Sequence, residues 1–120
     1  MRKAQKQFLS AGDMSADVAS NPVGLDQDFG FAIQANYSTT GTLGGVLKLQ
    51  ASVDRFVDQQ GNVLSAGNWV DIDQTSVTLT GAGHFIWNVP EVMYPFVRLF
   101  YAHHSGDSGS LDAFYMTRGF

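Results

Sequence analysis

A chain of 120 residues without one cysteine excludes a disulfide framework, a thiolate nucleophile and a thiolate metal centre, yet it is long enough to bury a core unaided. Its charge is divided: Arg2, Lys3 and Lys6 make the opening basic, while four cations face eleven acids in the remainder, a net of −7. An acidic body argues against a nucleic-acid surface, and with Lys6 and Gln7 breaking the first apolar run, neither a signal peptide nor a membrane span is expected.

Thirteen glycines, many aromatics and few charges suit short strands and tight turns better than helices. Residues 1–12 read as a basic arm that ends near Phe8-Leu9, a pair able to dock on the body, with a possible short edge strand; 13–120 read as the domain. The small polar residues from Ser10 to Pro22 suit an extended or edge segment. From Phe31 strict alternation begins, with Phe31, Ile33, Ala35 and Tyr37 on one face. After a turn at Ser38–Thr42, the stretch from Gly45 to Val53 puts Leu47, Leu49, Ala51 and Val53 on one face, and the two strands are expected to form a hairpin. Asp54–Asn68 is a long glycine-containing irregular segment, either functional or a mobile loop.

Extended structure resumes at Trp69–Ile72 and Val77–Thr80. Gly83–Tyr101 reads as two long strands joined by a bend, with Phe85, Trp87, Val89, Val97, Leu99 and Tyr101 at the centre of a core. A polar loop at Ala102–Gly109 precedes a closing strand from Leu111 to Met116. The whole predicts an all-β, two-layer antiparallel β-sandwich, jelly-roll-like, of about eight strands, with at most a helical turn near Pro90–Tyr94 and the last strand beside one of the first.

Candidates for chemistry are few. His103, His104 and Asp107 concentrate titratable groups in one loop, but adjacent histidines on extended chain point apart, which makes joint metal coordination awkward. The pairs Asp26/Asp28 and Asp71/Asp73 offer carboxylates to a calcium ion without the rest of an EF-hand, so turn and cap roles are expected instead. His84 stands alone, Glu91 has no carboxylate partner, and Ser105 lacks a nucleophile elbow; no enzyme, cofactor or metal site is expected. Trp69 and Trp87 read as core. Phe56 and Tyr94, in or beside loops, are contact candidates, as are Phe96, Arg98 and Phe100, which face away from the core, and Arg2, Lys3, Lys6 and Phe8 on the arm. Phe114 and Met116 share that second side, so a homo-oligomer is expected, the arm reaching to a neighbour.

Asp13-Met14-Ser15 with Ala19-Ser20-Asn21-Pro22, Gly30 through Tyr37, Gly45 through Ser52, Asn68 through Ile72, Trp87-Asn88-Val89, Phe96 through Tyr101 and Ser108 through Ala113 together form a pattern of strands and turns. In that pattern the chain resembles small β-sandwich structural proteins of bacteriophages, over most of the body from Asp13 onward. The resemblance implies a non-enzymatic virion component that decorates or cements a capsid, forms a spike, or belongs to a tail. Its implied partners are itself and other virion proteins such as the major capsid protein, its implied location the virion after synthesis in the host cytoplasm. The alternative from the residues is a carbohydrate- or receptor-binding module that uses Phe56 and Tyr94 on a host surface glycan. Nucleic acid is not expected as a partner.

Overall fold

Side chains two residues apart share a face of a strand, and that spacing becomes two sheets in the computed structural model, which describes residues 2–25, 28–91 and 94–119. Every regular element among them is a strand: β1 (Arg2–Asp13), β2 (Val18–Ala19), β3 (Val23–Gly24), β4 (Asp28–Ser38), β5 (Val46–Ser52), β6 (Phe56–Val57), β7 (Val63–Ser65), β8 (Val70–Asp71), β9 (Val77–Thr78), β10 (Gly83–Val89), β11 (Phe96–Ala102) and β12 (Ser110–Gly119). Sheet A has the order β1-β12-β4-β10. Sheet B is centred on β11 and β5, flanked by β2 and β3 on one side and by β8 and β9 on the other, while β6 and β7 form a separate hairpin. All pairings are antiparallel.

With β2 and β3 taken as one broken strand, β8 and β9 as another, and the hairpin set aside, eight strands remain. Numbered along the chain, sheet A reads 1-8-3-6 and sheet B reads 2-7-4-5, a jelly-roll-like order. The expected two-layer antiparallel sandwich of about eight strands is therefore what the chain forms. The core lies between the layers. Sheet A sends in Phe8, Phe31, Ile33, Ala35, Trp87, Leu111 and Ala113, and sheet B sends in Leu47, Leu49, Val97, Leu99 and Tyr101, all buried. Truncating a fully buried leucine such as Leu49 or Leu99 to alanine in such packing costs about 2–5 kcal/mol.

Several local expectations are corrected. β4 and β5 do not form a hairpin: β4 pairs with β12 and β10, and β5 pairs with β11, so the turn after Ser38 carries the chain from one sheet to the other. The bend after Val89 does the same between β10 and β11. Of the six residues placed at the core centre, Phe85 is 38% exposed, because β10 is an edge strand with nothing beyond it among the described residues to cover the ring. Val53 lies past the end of β5 and is exposed. The stretch 1–12, read as an arm with a possible short edge strand, is mostly taken up by β1, a long edge strand of sheet A that runs along β12 from Arg2 opposite Gly119 to Asp13 opposite Ser110. Val92 and Met93, within the segment read as a possible helical turn, lie outside the described residues.

The two central strands of sheet B are flanked by strands that each break in the middle, and both breaks are bridged by a hydroxyl. On one side the chain departs from β11 at Ser20–Pro22, and there the Leu99 N–H donates to Ser20 Oγ at 2.9 Å while the Ser20 N–H donates to Leu99 O at 2.9 Å. On the other side it departs from β5 at Asp73–Gln74, where Gln74 has φ of 65°. There the Leu49 N–H donates to Thr75 Oγ1 at 3.1 Å, and Thr75 Oγ1 donates to Ile72 O at 2.7 Å. Leu49 and Leu99 are direct cross-strand partners. Thr75 also ties the layers together, since its carbonyl accepts from Trp87 Nε1 at 2.8 Å.

Removing either hydroxyl strands a buried N–H, which costs about 1–3 kcal/mol. Thr75→Val and Ser20→Ala are each expected to lower unfolding free energy by that amount in urea titrations. A loss under about 0.5 kcal/mol in both would show that the bridged breaks contribute nothing.

Candidate functional site

The segment Asp54–Asn68 is an ordered hairpin, not an irregular loop, and two carboxylates shape it. At its base Asp54 accepts the Asn68 backbone N–H and the Asn68 side-chain amide, each at 2.8 Å, and the Ser52 hydroxyl at 3.0 Å. Gly67 closes the base at φ of 77°, where a Cβ would come within 2.6 Å of Ser52 Oγ. At its tip Asp58 accepts the backbone N–H groups of Asn62 at 2.8 Å and Gln60 at 2.9 Å, and the Asn62 amide at 3.1 Å. These donors, Asn68 foremost for Asp54 and Asn62 foremost for Asp58, hold both carboxyls below the usual range.

A hairpin ordered by polar contacts keeps its apolar side chains out of the core. Phe56 is 60% exposed and Leu64 is 69% exposed, with Val53, Val63 and Val70 exposed beside them. Exposed large apolar side chains in such number are unusual for a surface of this size. Next to it a groove of ≈ 810 Å³ has Val53, Phe56, Val70, Ile72 and Tyr94 as walls, with Asp54, Asp71, Asp73 and Asn68 on its rim. Phe56 and Tyr94, paired in the sequence reading as contact residues, line one groove. Leu64, Val63, Val53 and Val70 were missed. For Val63 and Leu64 the signal was apolar residues set in an otherwise polar segment, which the reading as a loop concealed; Val53 was placed on the core face of its strand and Val70 in the extended stretch after Trp69.

The groove borders the outer face of sheet B, where Phe96, Arg98 and Phe100 stand half-buried opposite Ser52, Gln50 and Lys48. Arg98 Nε donates to Gln50 Oε1 at 2.8 Å, Gln50 Nε2 donates to Asp71 at 2.9 Å, and Asp71 pairs with Lys48 Nζ at 2.9 Å. The Arg98 guanidinium lies 4.5 Å from the Trp69 ring centroid and 5.6 Å from that of Phe100. Lys48 sits over Phe100 at 5.7 Å and Arg55 over Phe96 at 5.4 Å. Trp69, expected in the core, is instead half-buried and stacked under Arg98. Burial lowers the Arg98 pKa, and the hydrogen bonds from Gln50 and then Lys48 lower that of Asp71. Of the remaining contact candidates, Lys6 is exposed on β1 and Phe8 is buried against Tyr115, at 5.2 Å between ring centroids, so Phe8 serves the fold. The side chains of Arg2 and Lys3 lie outside the described part.

The histidine loop does structural work. Asp107 is buried and accepts hydrogen bonds from the Tyr101 hydroxyl, the Gly44 N–H at 2.9 Å and the His104 N–H at 3.0 Å. Gly45 permits this approach, since a Cβ there would overlap the Tyr101 hydroxyl. Desolvation pushes Asp107 up, but the Tyr101 hydroxyl and the two backbone donors outweigh it and hold its pKa at about 2. Tyr101 moves the other way, raised first by burial and then by the Asp107 carboxylate. His103 donates its backbone N–H to Asp17 at 2.8 Å, and its ring nitrogen is 3.3 Å from Met14 O. No cluster of three or more metal-ligating side chains occurs among the described residues, and Asp26 lies outside them.

No protein-family model matches the chain, and no curated protein matches it. Its fold is similar to that of the SPBc2 prophage-derived protein YomS, with a TM-score of 0.55 and 10% sequence identity over 97% of this chain and 92% of that one. Two other solved structures overlap more loosely. One is of Bacillus endospore appendages, described as disulfide-linked pili, with a TM-score of 0.47 and 8% identity over 99% of this chain and 86% of that one. The other is of infectious bursal disease virus, Gt strain, with a TM-score of 0.43 and 11% identity over 98% of this chain and 29% of that one. At such identities the first likeness shows a common fold and nothing of function.

The Asp107 carboxylate makes a pH test specific. Its folded pKa is depressed, so its contribution is present above the unfolded pKa of about 3.9 and is lost as pH falls toward about 2. Asp107→Asn is expected to cost about 2 kcal/mol at pH 7, with the two stability curves converging near pH 2. Parallel curves across that range would rule the network out as a source of acid lability. The variant retains the lowered pKa values of Asp13, Asp54, Asp58 and Asp71, so the difference between curves isolates Asp107.

Proposed function

We propose that this chain is a non-enzymatic virion structural protein, most simply a capsid decoration, cement or spike component, and that the β6–β7 hairpin is the part that seats on another virion protein such as the major capsid protein. The observation that carries this reading is the exposure of Phe56, Val63 and Leu64 on a hairpin ordered by its own carboxylates, with Val53 and Val70 exposed next to its base. An ordered hairpin loses little conformational entropy on docking, so its apolar area translates into affinity more fully than that of a floppy loop. The jelly-roll-like order is one that viral capsid domains use, and the fold-level neighbour is prophage-derived, which supports the viral setting by analogy only.

Leu64→Asp is expected to leave thermal stability nearly unchanged, because the side chain is exposed, and to abolish attachment to particles. Electron microscopy of particles assembled with the wild-type chain, with the variant and without the chain reads both location and loss. Absence of the wild-type domain from purified particles would refute the assignment.

A second reading, recognition of a host-surface glycan, is favoured by one observation: Phe56 and Tyr94 line the same groove as Asp54, Asp71, Asp73 and Asn68. Aromatic faces beside acceptor groups suit sugar rings. Glycan-array signal that disappears in Phe56→Ala and Tyr94→Ala while the fold persists is the result this reading expects. An array silent for the wild-type chain removes it.

A further inference from the structure

A sheet edge is a row of unpaired backbone groups, and folded chains blunt their edges with short strands, charges or bulges. Among the described residues, three of the four edges of the two sandwich sheets carry such devices. Both edges of sheet B consist of two-residue strands, β2 and β3 on one side and β8 and β9 on the other. The β1 edge of sheet A holds Arg2, Lys3 and Lys6, and its register shifts twice, between Gln7 and Leu9 and again before Gly12. The second irregularity is built in: Ala11 has φ of 52° and donates its N–H to Asp112 at 2.7 Å.

The fourth edge, β10, carries none of these. It reads Gly-His-Phe-Ile-Trp-Asn-Val, with no lysine, arginine, aspartate, glutamate or proline, and it pairs with β4 over seven residues without a register shift. Among the described residues it has no strand partner on its other side. It is open on both faces: on the outer side Ile86 is 58% exposed between exposed His84 and Asn88, and on the inner side Phe85 is 38% exposed beside Trp87, at 5.0 Å between ring centroids. Ile86 continues into a shallow depression with Ala32, Phe114 and Met116 on the outer face of sheet A. One added strand would cover Ile86 and Phe85 together.

We propose that β10 pairs antiparallel with β10 of a second copy, joining two A sheets into one eight-stranded sheet about a two-fold axis through Ile86. A residue near a two-fold axis meets its own copy, so a charge there would face a like charge; an uncharged strand is the edge that can be its own partner. The charge-free seam also carries no share of the acidity of the two bodies. This pairing is a self-contact that adds to the subunit reading and lies on a different surface from the hairpin. Seven residues a side make a small interface, with an expected Kd on the order of 10 µM.

Sedimentation equilibrium of the whole chain up to about 0.5 mM is expected to show monomer and dimer. Ile86→Lys, an exposed change, should raise the dimer Kd at least ~tenfold with an unchanged near-ultraviolet spectrum. Because the chain has no cysteine, Ile86→Cys places a single thiol at the seam. Mild oxidation should give a covalent dimer from Ile86→Cys and not from Leu64→Cys on the hairpin. A dimer that survives Ile86→Lys but is lost in Leu64→Asp overturns β10 pairing and leaves the hairpin reading standing. A monomer at every concentration, with no covalent dimer from Ile86→Cys, overturns β10 pairing irrespective of whether the chain is found on particles.

Discussion

The hydrogen bonding of Leu49 and Leu99 constrains everything else in this fold. These leucines face each other on the two central strands of sheet B, fully buried, and both flanking strands break just where the backbone groups of the pair need partners. A buried N–H without an acceptor costs as much as several favourable contacts return. Ser20 and Thr75 supply that acceptor from a side chain, and the chain is free to depart from the sheet there without exposing the core to water. Thr75 then does a second thing, because the carbonyl of the same residue receives the Trp87 indole from the opposite layer. The bridged break in one sheet is therefore also a tie between the two.

Rigidity at the centre has a consequence for the surface. With β11 and β5 held in unbroken register, Arg98, Gln50, Asp71 and Lys48 line up as a hydrogen-bonded row on the outer face, and the aromatic rings between them are held by stacked cations. That face is satisfied within the chain. The hairpin differs: Asp54 and Asp58 hold its base and tip, and between them Phe56, Val63 and Leu64 stand exposed.

How much of this was readable in the residues depends on range. Alternation identified the buried face of β4 at Phe31, Ile33 and Ala35 and that of β5 at Leu47 and Leu49, because period two is a local property. Which strands pair is not local. The turn after Ser38 looks like a hairpin turn, yet it is a crossing between sheets, and nothing in its composition distinguishes the two. Phe85 obeys the alternation and still ends exposed, since burial at an edge is decided by what lies beyond it. Trp69 was misplaced for a related reason: a large ring can be covered by an arginine as well as by a core. Phe56 and Tyr94 were recognisable as loop aromatics, but their meeting in one groove required the fold. The hydroxyls of Ser20 and Thr75 left no trace in the sequence, for any serine or threonine in a polar stretch reads alike until the ladder it completes is known.

The hairpin's point of attachment explains how the sandwich can carry an exposed apolar insertion at little cost in stability. It is inserted between β5 and β8, where sheet B already ends in strands of two residues, so little pairing is interrupted. The Asp54–Asn68 clasp then closes the insertion before it reaches the core, leaving residues 55–67 connected to the sandwich mainly through one carboxylate, the Ser52 hydroxyl and Arg55 against Phe96. Changes within the hairpin have few routes by which to disturb Leu49 or Leu99. A surface coupled so weakly to its scaffold can be altered in shape and polarity while the sandwich keeps folding.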